Sequence, residues 1–547
     1  MEKMAKRVVV IYGCLIFCFA VLVLRLLFLS QDSGIGQSAA AQGTRTIEMA
    51  QSRGMIYDCR FSPIVNLSST TMLAVRPGRE AAAVLLREDM DREEREALLE
   101  KLSGGAPFVM ESPAEPAPQG EGVSGFSVAK RYTAPFLFPH VVGYVDYAGS
   151  GVSGIEKACD EFLTEHGTTV SVSFPTSAVG TPLQNENGVV RQGEEDKQGV
   201  VLAIDATLQR AAYYAAEKHM EKGAVLVMDV ENGDIKAMVS LPDFDPEKVE
   251  DSLDAPDSPL LNRCTLGYSL GSIFKIVTAA CALENGYSTG WSYECPGYID
   301  VEGQIFRCHN LAGHGEVNMR EAMEESCNPY FIALSLELGA VKLYETAYRL
   351  GFGQYDEIAP GMFGAAGNYP KPYDIRFDAD LANLGFGQGT LLATPLQVGK
   401  LLCAVANGGR SVSPTLLLGY SNEEGTALAE EVDRPDQDQV LSEEVTEILR
   451  SMLVRVVEEG SGKGATPLHG GAGGKTGSAQ TGHYDEEGKE IVQAWFAGYY
   501  PADTPRYAIV VFIEGGDSGA LQAAPVFQEI CDYIYIYEEM GEGSITP

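Results

Sequence analysis

Within a chain of 547 residues, the pair whose types and spacing could do covalent chemistry is Ser272 and Lys275, in Gly271-Ser272-Ile273-Phe274-Lys275 ahead of the apolar run Ile276 to Leu283. If that run is a helix, a serine in its first turn and a lysine three residues on share a face. A serine hydroxyl is a weak nucleophile near neutrality, and a lysine desolvated on a buried helix can serve as its base. The helix N-terminus adds positive potential where an oxyanion would develop. Chance supplies this spacing about once or twice in a chain of this size, and Ser127-Val128-Ala129-Lys130 is such an occurrence. There Arg131 follows and Pro135 comes soon after, so no apolar helix can carry the pair.

Two further clusters follow the serine. Ser326-Cys327-Asn328 lies on a turn between helix candidates Met319 to Glu325 and Tyr330 to Leu338. A hydroxyl and an amide two residues apart there can point into one cleft, the first to pass a proton and the second to bind a backbone amide. Lys475-Thr476-Gly477-Ser478 follows the turn-rich Gly470 to Gly474 and precedes two strands. A cation, two hydroxyls and a glycine that permits close approach suit a carboxylate. Each triplet alone is common; the three in this order are not.

Together they resemble the signatures of penicillin-binding proteins and serine β-lactamases, and other stretches narrow the resemblance to class B penicillin-binding proteins. Arg53-Gly54-Met55-Ile56-Tyr57-Asp58 resembles the opening of the pedestal in that class, and Arg131-Tyr132 with His140 to Val145 its later signature. Asn262-Arg263, Gly387-Gln388-Gly389 with Thr394-Pro395-Leu396-Gln397, and Trp495 to Pro501 are similar to class B transpeptidases. Leu270 stands where a proline commonly precedes Gly-Ser, Ser478 replaces the common threonine, and Cys59 sits where an arginine is usual. The first two touch the rim of the site and bear on substrate preference and β-lactam affinity.

The resemblance implies acyl transfer at a D-Ala-D-Ala peptide stem, inhibited by β-lactams. Ser272 would attack, Lys275 as free amine would take its proton, and Ser326 with Lys475 would relay protons to the leaving D-alanine. Asn328 would hold the stem amide, while Thr476, Gly477 and Ser478 would receive its carboxylate beside Lys475. The backbone N–H groups of Ser272 and Ser478 would form the oxyanion hole. An amine from a neighbouring stem would resolve the acyl-enzyme, with no metal or organic cofactor required. A polytopic membrane glycosyltransferase is the implied partner. The competing readings are a D,D-carboxypeptidase or β-lactamase, which would need efficient entry of water, and a catalytically silent scaffold of a cell-wall complex. A β-lactam sensor would carry a cytoplasmic signalling part, and only about seven residues precede the span.

The elements that must position these groups follow from pattern. Val8 to Leu29 is apolar apart from Arg25, and 22 helical residues reach about 33 Å, enough to cross a bilayer. Lys3, Lys6 and Arg7 precede it, which places residues 1–7 in the cytoplasm and the rest outside; a cleaved secretory signal is the alternative. Net charge −36 repels nucleic acid. Gln31 to Gln51 reads as a linker, Glu88 to Leu102 as an amphipathic helix, Glu111 to Gly125 as a loop, and His140 to Val145 as a strand. Residues 30–197 are expected to form an α+β pedestal. From 198 to 547, a strand at Val200, a helix from Thr207 to Lys222 and a hairpin around Glu231-Asn232-Gly233 precede the Ser272 helix. Strands Ala494 to Tyr500 and Tyr507 to Ile513 and a helix from about Leu521 to Tyr533 come last. The expected class is α+β: a penicillin-binding transpeptidase fold, with an antiparallel sheet, flanking helices and a helical subdomain, on a pedestal with one transmembrane helix.

Eleven cysteines show no C-x-x-C or His-rich zinc pattern. Cys159, Cys264, Cys281, Cys403 and Cys531 read as buried thiols. Cys327 stands between two proposed catalytic residues in an oxidising compartment, and Cys308 is the nearest cysteine before it. A bridge between them would distort the Ser326 loop and switch the enzyme off; the plain alternative is a buried free thiol. His309 and His314 read as loop-packing residues rather than bases.

Overall fold

The computed structural model describes residues 2–31, 44–86, 90–112, 116–176, 189–193, 196–484, 488 and 490–540. Helix Glu2–Gln31 carries one apolar segment, Arg7–Arg25, long enough to cross a membrane and not buried in the protein. The chain forms two compact units, one from residues 1–52, 67–131 and 167–195, the other from 53–66, 132–166 and 196–547. Segments 53–66 and 132–166, assigned to the pedestal on sequence, thus group with the second unit.

In the first unit, strand Ser68–Val75 lies between Phe108–Glu111 and Val123–Lys130, antiparallel to both. Leu73, Val75 and Val123 meet Ala81 and Leu85 of helix Arg79–Leu85 and Leu98 of helix Arg92–Ser103 in one core. The latter helix begins where the Asp91 carboxylate accepts the Glu94 N–H, which satisfies one of the first-turn donors. Ser127 and Lys130 both lie on a strand, so an odd spacing sends them to opposite faces and removes them as a catalytic pair. The expected linker Gln31 to Gln51 is partly wrong: residues 32–43 fall outside the described residues, while Thr44–Gln51 is a strand paired with Thr169–Pro175. Alternation of Thr46 and Glu48 with Ile47 suits a strand covered on one face. The loop expected from Glu111 to Gly125 ends earlier, at strand Val123–Lys130.

The second unit is built on a five-stranded antiparallel sheet in the order Ile235–Leu241, Gly223–Asp229, Tyr507–Glu514, Glu490–Tyr500, Gly473–Tyr484. Strands Gly223–Asp229, Ile235–Leu241 and Tyr507–Glu514 read as near-continuous apolar runs because both faces are covered, whereas the edge strand Gly473–Tyr484 is polar and glycine-rich. On one face Val225, Val227, Phe496 and Ile509 pack with Leu208 and Ala212 of helix Ala206–His219 and with Phe527 and Ile530 of helix Ala524–Met540. On the other, Leu226, Met228, Val510 and Phe512 share a core with helices Lys275–Glu284, Asn328–Leu338 and Pro395–Ala406. The turn between the first two strands closes at Gly233, φ +80°, a conformation that favours glycine.

A second sheet joins Met55–Tyr57, Gly199–Leu202, Leu417–Ser421 and Leu428–Glu431, the first pair parallel. The expected strand His140 to Val145 is instead the short helix Pro139–Val142. Proline pre-organises its first turn, and Gly143 at φ +81° ends it, where a Cβ would lie 2.0 Å from the Ser153 carbonyl oxygen. Arg53 is buried in this region. Its Nε donates to Glu156 Oε2 at 2.7 Å and its Nη1 to Gly149 O at 2.7 Å and Thr164 Oγ1 at 3.0 Å.

Candidate active site

Ser272 does not open an α-helix directly. Gly271–Phe274 forms a 3₁₀ turn that runs into helix Lys275–Glu284. Gly271 adopts φ +62°, and its N–H donates to the Gly387 carbonyl at 2.8 Å. At Gly387, φ +84°, a Cβ would lie 1.9 Å from the Gly271 carbonyl oxygen, so the Gly387-Gln388-Gly389 turn clasps the serine turn through backbone alone. The same turn abuts the Lys475 strand edge. A Cβ on Gly271 would meet Ser478 O at 3.0 Å, and one on Gly477 would meet Leu270 O at 3.0 Å. Trp495 Nε1 donates to Ser269 O at 2.9 Å and holds the approach to the turn. Ser272 itself is half-buried.

Lys275, three residues on, is fully buried. Its Nζ donates to Ser326 O at 2.7 Å, to Asn328 Oδ1 at 2.7 Å and to Ser326 Oγ at 3.1 Å. Burial disfavours the ammonium form and pulls this amine down to about 7, partly opposed by Cys327 and Cys308. Lys475 is also fully buried. Its Nζ reaches Ser326 Oγ at 3.0 Å, Thr476 O at 3.2 Å and Thr476 Oγ1 at 3.3 Å. Burial, then the charge of Lys275, holds it well below an ordinary lysine. One hydroxyl thus bridges two amines whose burial disfavours the ammonium form, a geometry able to accept, hold and return a proton.

Ser326 occupies φ +52°, a region that costs a non-glycine residue about 1–2 kcal/mol. The turn closes through Cys327 N–H to Ala322 O at 2.9 Å, and Asn328 then opens helix Asn328–Leu338 with Pro329 in its first turn. Asn328 Nδ2 donates to Arg307 O at 3.2 Å. On the opposite wall Thr476 is 8% exposed, whereas Ser478 faces solvent. Ser478 Oγ accepts the Gly519 N–H at 3.2 Å, which leaves its own proton for a ligand.

Sequence reasoning missed two supporting residues. Ser461 Oγ lies 3.3 Å from Thr476 Oγ1, and its N–H donates to Glu324 O at 3.1 Å; Gly519 is the other. The signal for both was weak, since each stands in a turn far along the chain from any motif. Cys308 and Cys327 are brought together, but as free thiols. Cys327 donates to Cys308, which raises its own affinity for the proton and lowers that of Cys308. His314, expected only to pack, turns Nδ1 toward the sulfurs of Cys308 and Cys295 at 3.5 and 3.7 Å.

Residues 223–532 match the family model described as the penicillin binding protein transpeptidase domain. Stage V sporulation protein D of Bacillus subtilis is 30% identical over 418 residues, 73% of this chain and 63% of that protein. A peptidoglycan D,D-transpeptidase MrdA of Acinetobacter baumannii is 30% identical over 455 residues, 74% of this chain and 66% of that protein. The matched stretch therefore spans just under two thirds of each of these relatives. Among solved structures, one described as structural coordination of polymerization and crosslinking by a peptidoglycan synthase complex aligns with TM-score 0.69 at 23% identity, over 97% of this chain and 98% of that one. The Helicobacter pylori penicillin-binding protein PBP2, solved with MreC, aligns with TM-score 0.66 at 22% identity, over 91% and 99% of the two chains. With the fold and the matched family model in agreement, this chain belongs to the penicillin-binding protein transpeptidases.

Proposed function

We propose that the protein is a membrane-anchored class B serine D,D-transpeptidase that cross-links peptidoglycan stem peptides through an acyl-enzyme on Ser272. The observation that carries this reading is Ser326 Oγ held at 3.1 Å from Lys275 Nζ and 3.0 Å from Lys475 Nζ beside the Ser272 turn. The free amine of Lys275 takes the Ser272 proton as the Oγ–carbon bond forms at the penultimate D-Ala carbonyl. The tetrahedral oxyanion sits at the backbone N–H groups of Ser272 and Ser478. The peptide C–N bond then breaks, and Ser326 passes a proton to the leaving D-alanine, refilled by Lys275 or Lys475. Asn328 holds the stem amide, and Lys475, Thr476, Gly477 and Ser478 receive the terminal carboxylate. Attack by an acceptor amine breaks the serine ester and returns the proton to Ser272.

The apolar N-terminal helix serves as the anchor, with residues 1–7 cytoplasmic and residues 198–547 extracytoplasmic as the transpeptidase region. The fold likeness to a chain solved in a peptidoglycan synthase complex supports a membrane glycosyltransferase as partner. The test is intact-mass analysis of full-length protein with a penicillin, under reductant, beside Ser272→Ala. One long-lived adduct on Ser272 supports the reading. Rapid drug turnover without a lasting adduct replaces it with a hydrolase, and folded protein without any adduct replaces it with a silent scaffold.

A further inference from the structure

A hairpin of two short strands, Tyr298–Val301 and Gln304–Arg307, ends against the turn that carries Asn328. Tyr298 pairs with Arg307, and Asp300 with Ile305. Because successive side chains of a strand point to opposite faces, each of these pairs shares a face with the other. The face with Ile299, Val301 and Phe306 packs on Ile332, Ala382 and Phe386. The opposite face holds Tyr298, Asp300, Ile305 and Arg307, all exposed, with the apolar Ile305 at 56%. The Arg307 carbonyl accepts the Asn328 amide at 3.2 Å, while Asn328 Oδ1 accepts from Lys275 Nζ at 2.7 Å. The last residue of the hairpin thus borders the side chain assigned to the stem amide.

Arg307 is an uncommitted cation. Its guanidinium makes no hydrogen bond or ion pair among the described residues, in a chain with 76 acidic residues against 40 basic ones. Asp300, on the same face, turns Oδ1 to the Gly303 N–H at 2.8 Å. Glu325, on the far side of Ser326, is exposed and does not pair with Arg307 either. The two lysines of the site are buried, which weakens their charge. A guanidinium keeps its proton, and its planar fork matches a carboxylate. The terminal carboxylate of the donor is assigned to the opposite wall, at Lys475, Thr476, Gly477 and Ser478. An anion at Arg307 is therefore another group of the donor, one that lies ahead of the amide held by Asn328.

We infer that the Arg307 guanidinium, flanked by Tyr298 and Ile305, receives a side-chain carboxylate on the donor-stem residue ahead of the D-Ala-D-Ala pair. The enzyme then selects acidic stems over amidated ones. This subsite rests on the transpeptidase reading and deepens it by naming the class of donor. Arg307 takes no part in the acyl transfer itself; it sets which donor occupies the cleft. The apolar side chains of Tyr298 and Ile305 cover the aliphatic part of the same stem residue.

The test uses full-length protein and two synthetic stem peptides ending in D-Ala-D-Ala, identical except that the residue before that pair carries a carboxylate or its neutral amide. Each peptide competes with a fluorescent penicillin for Ser272, so occupancy of the cleft is read whether or not the peptide acylates. The carboxylate peptide should halve the labelling rate at a concentration about fivefold to tenfold below the amide peptide, as an exposed charge-assisted pair allows. That ratio should fall to about one in Arg307→Ala, return in part in Arg307→Lys, and shrink at about 1 M salt, where screening acts within about 3 Å. Equal competition by the two peptides overturns the subsite. So does an Arg307→Ala that weakens both peptides alike, since the residue then acts only by positioning Asn328. If neither peptide competes at millimolar concentration while the penicillin still labels Ser272, the subsite falls and the acylating serine stands. Loss of penicillin labelling in the unaltered chain removes the parent reading and the subsite with it.

Discussion

The pH dependence of acylation gives the most direct reading of Lys275. Its amine is drawn from 10.5 to about 7 by burial, which corresponds to roughly 5 kcal/mol against the ammonium form. With Lys275 as base, acylation follows the free-amine fraction. That fraction is about 9% at pH 6 and about 91% at pH 8, so the rate rises about tenfold across the interval and levels off above it. A lysine of ordinary basicity would instead gain about tenfold per pH unit up to about pH 10. The assay is the second-order rate of labelling by a fluorescent penicillin from pH 5.5 to 9. A flat profile from pH 6 to 8, or a rate still climbing tenfold per unit at pH 9, refutes the assignment. Stability moves with the same group. The folded amine binds its proton more weakly than the unfolded one, so the burial penalty is full below about pH 7 and is relieved as pH rises toward 10.5. Lys275→Met removes that penalty together with the base. It should abolish labelling, and its melting temperature relative to the unaltered chain should be more favourable at pH 6 than at pH 9.

Three other substitutions probe the scaffold. Arg53→Ala leaves Glu156, at 0% exposure, without its closest cation and should cost about 3–5 kcal/mol in denaturant unfolding. Gly387→Ala must clear a contact of 1.9 Å to the Gly271 oxygen and give up a positive φ. It should slow β-lactam acylation by at least about tenfold, a displacement effect of the kind a shift of about 1 Å produces, with near-native far-ultraviolet circular dichroism. Ser326→Gly relieves the backbone at φ +52° but removes the bridging hydroxyl. Labelling should fall about 10²–10⁴-fold, whereas thermal stability should exceed that of Ser326→Ala, which keeps the strain.

The candidate site was legible because its residues lie in short contiguous motifs whose flanks report the local element. The apolar run after Lys275 declares a buried helix; the charged and Pro-containing flank of Ser127 denies one, and that pair is found on a strand. The inner strands of the central sheet were legible for the same reason, since strands covered on both faces read as near-unbroken apolar runs. The cluster of Cys295, Cys308, His314 and Cys327 was not. Its four members are thirteen, six and thirteen residues apart and meet only because two pairs of short strands bring their ends together. The available signals were Pro296-Gly297 after one cysteine and Gly313 before the histidine, which mark tight turns beside metal-capable groups. The Pro139–Val142 helix was also missed, because Val141 and Val142 favour strands while the flanking Pro and Gly define the ends of a helix. The grouping of residues 53–66 and 132–166 with the second unit depends on non-local partners such as Arg53 and Glu156, which no window of local pattern contains.

That grouping has a consequence for how the polypeptide is made. Strand Met55–Tyr57 pairs in parallel with Gly199–Leu202, so nearly 150 residues must be synthesised after it before its neighbour exists. During synthesis, Ile56, Ile64 and Val65, at 0–2% exposure in the finished protein, are made early and wait uncovered. The intervening unit can mature during that interval, because its strand pairs all close within residues 44–192. Synthesis order thus creates a window in which a nascent apolar edge stands unpaired, and a fragment begun at residue 198 would leave the Gly199–Leu202 edge permanently vacant.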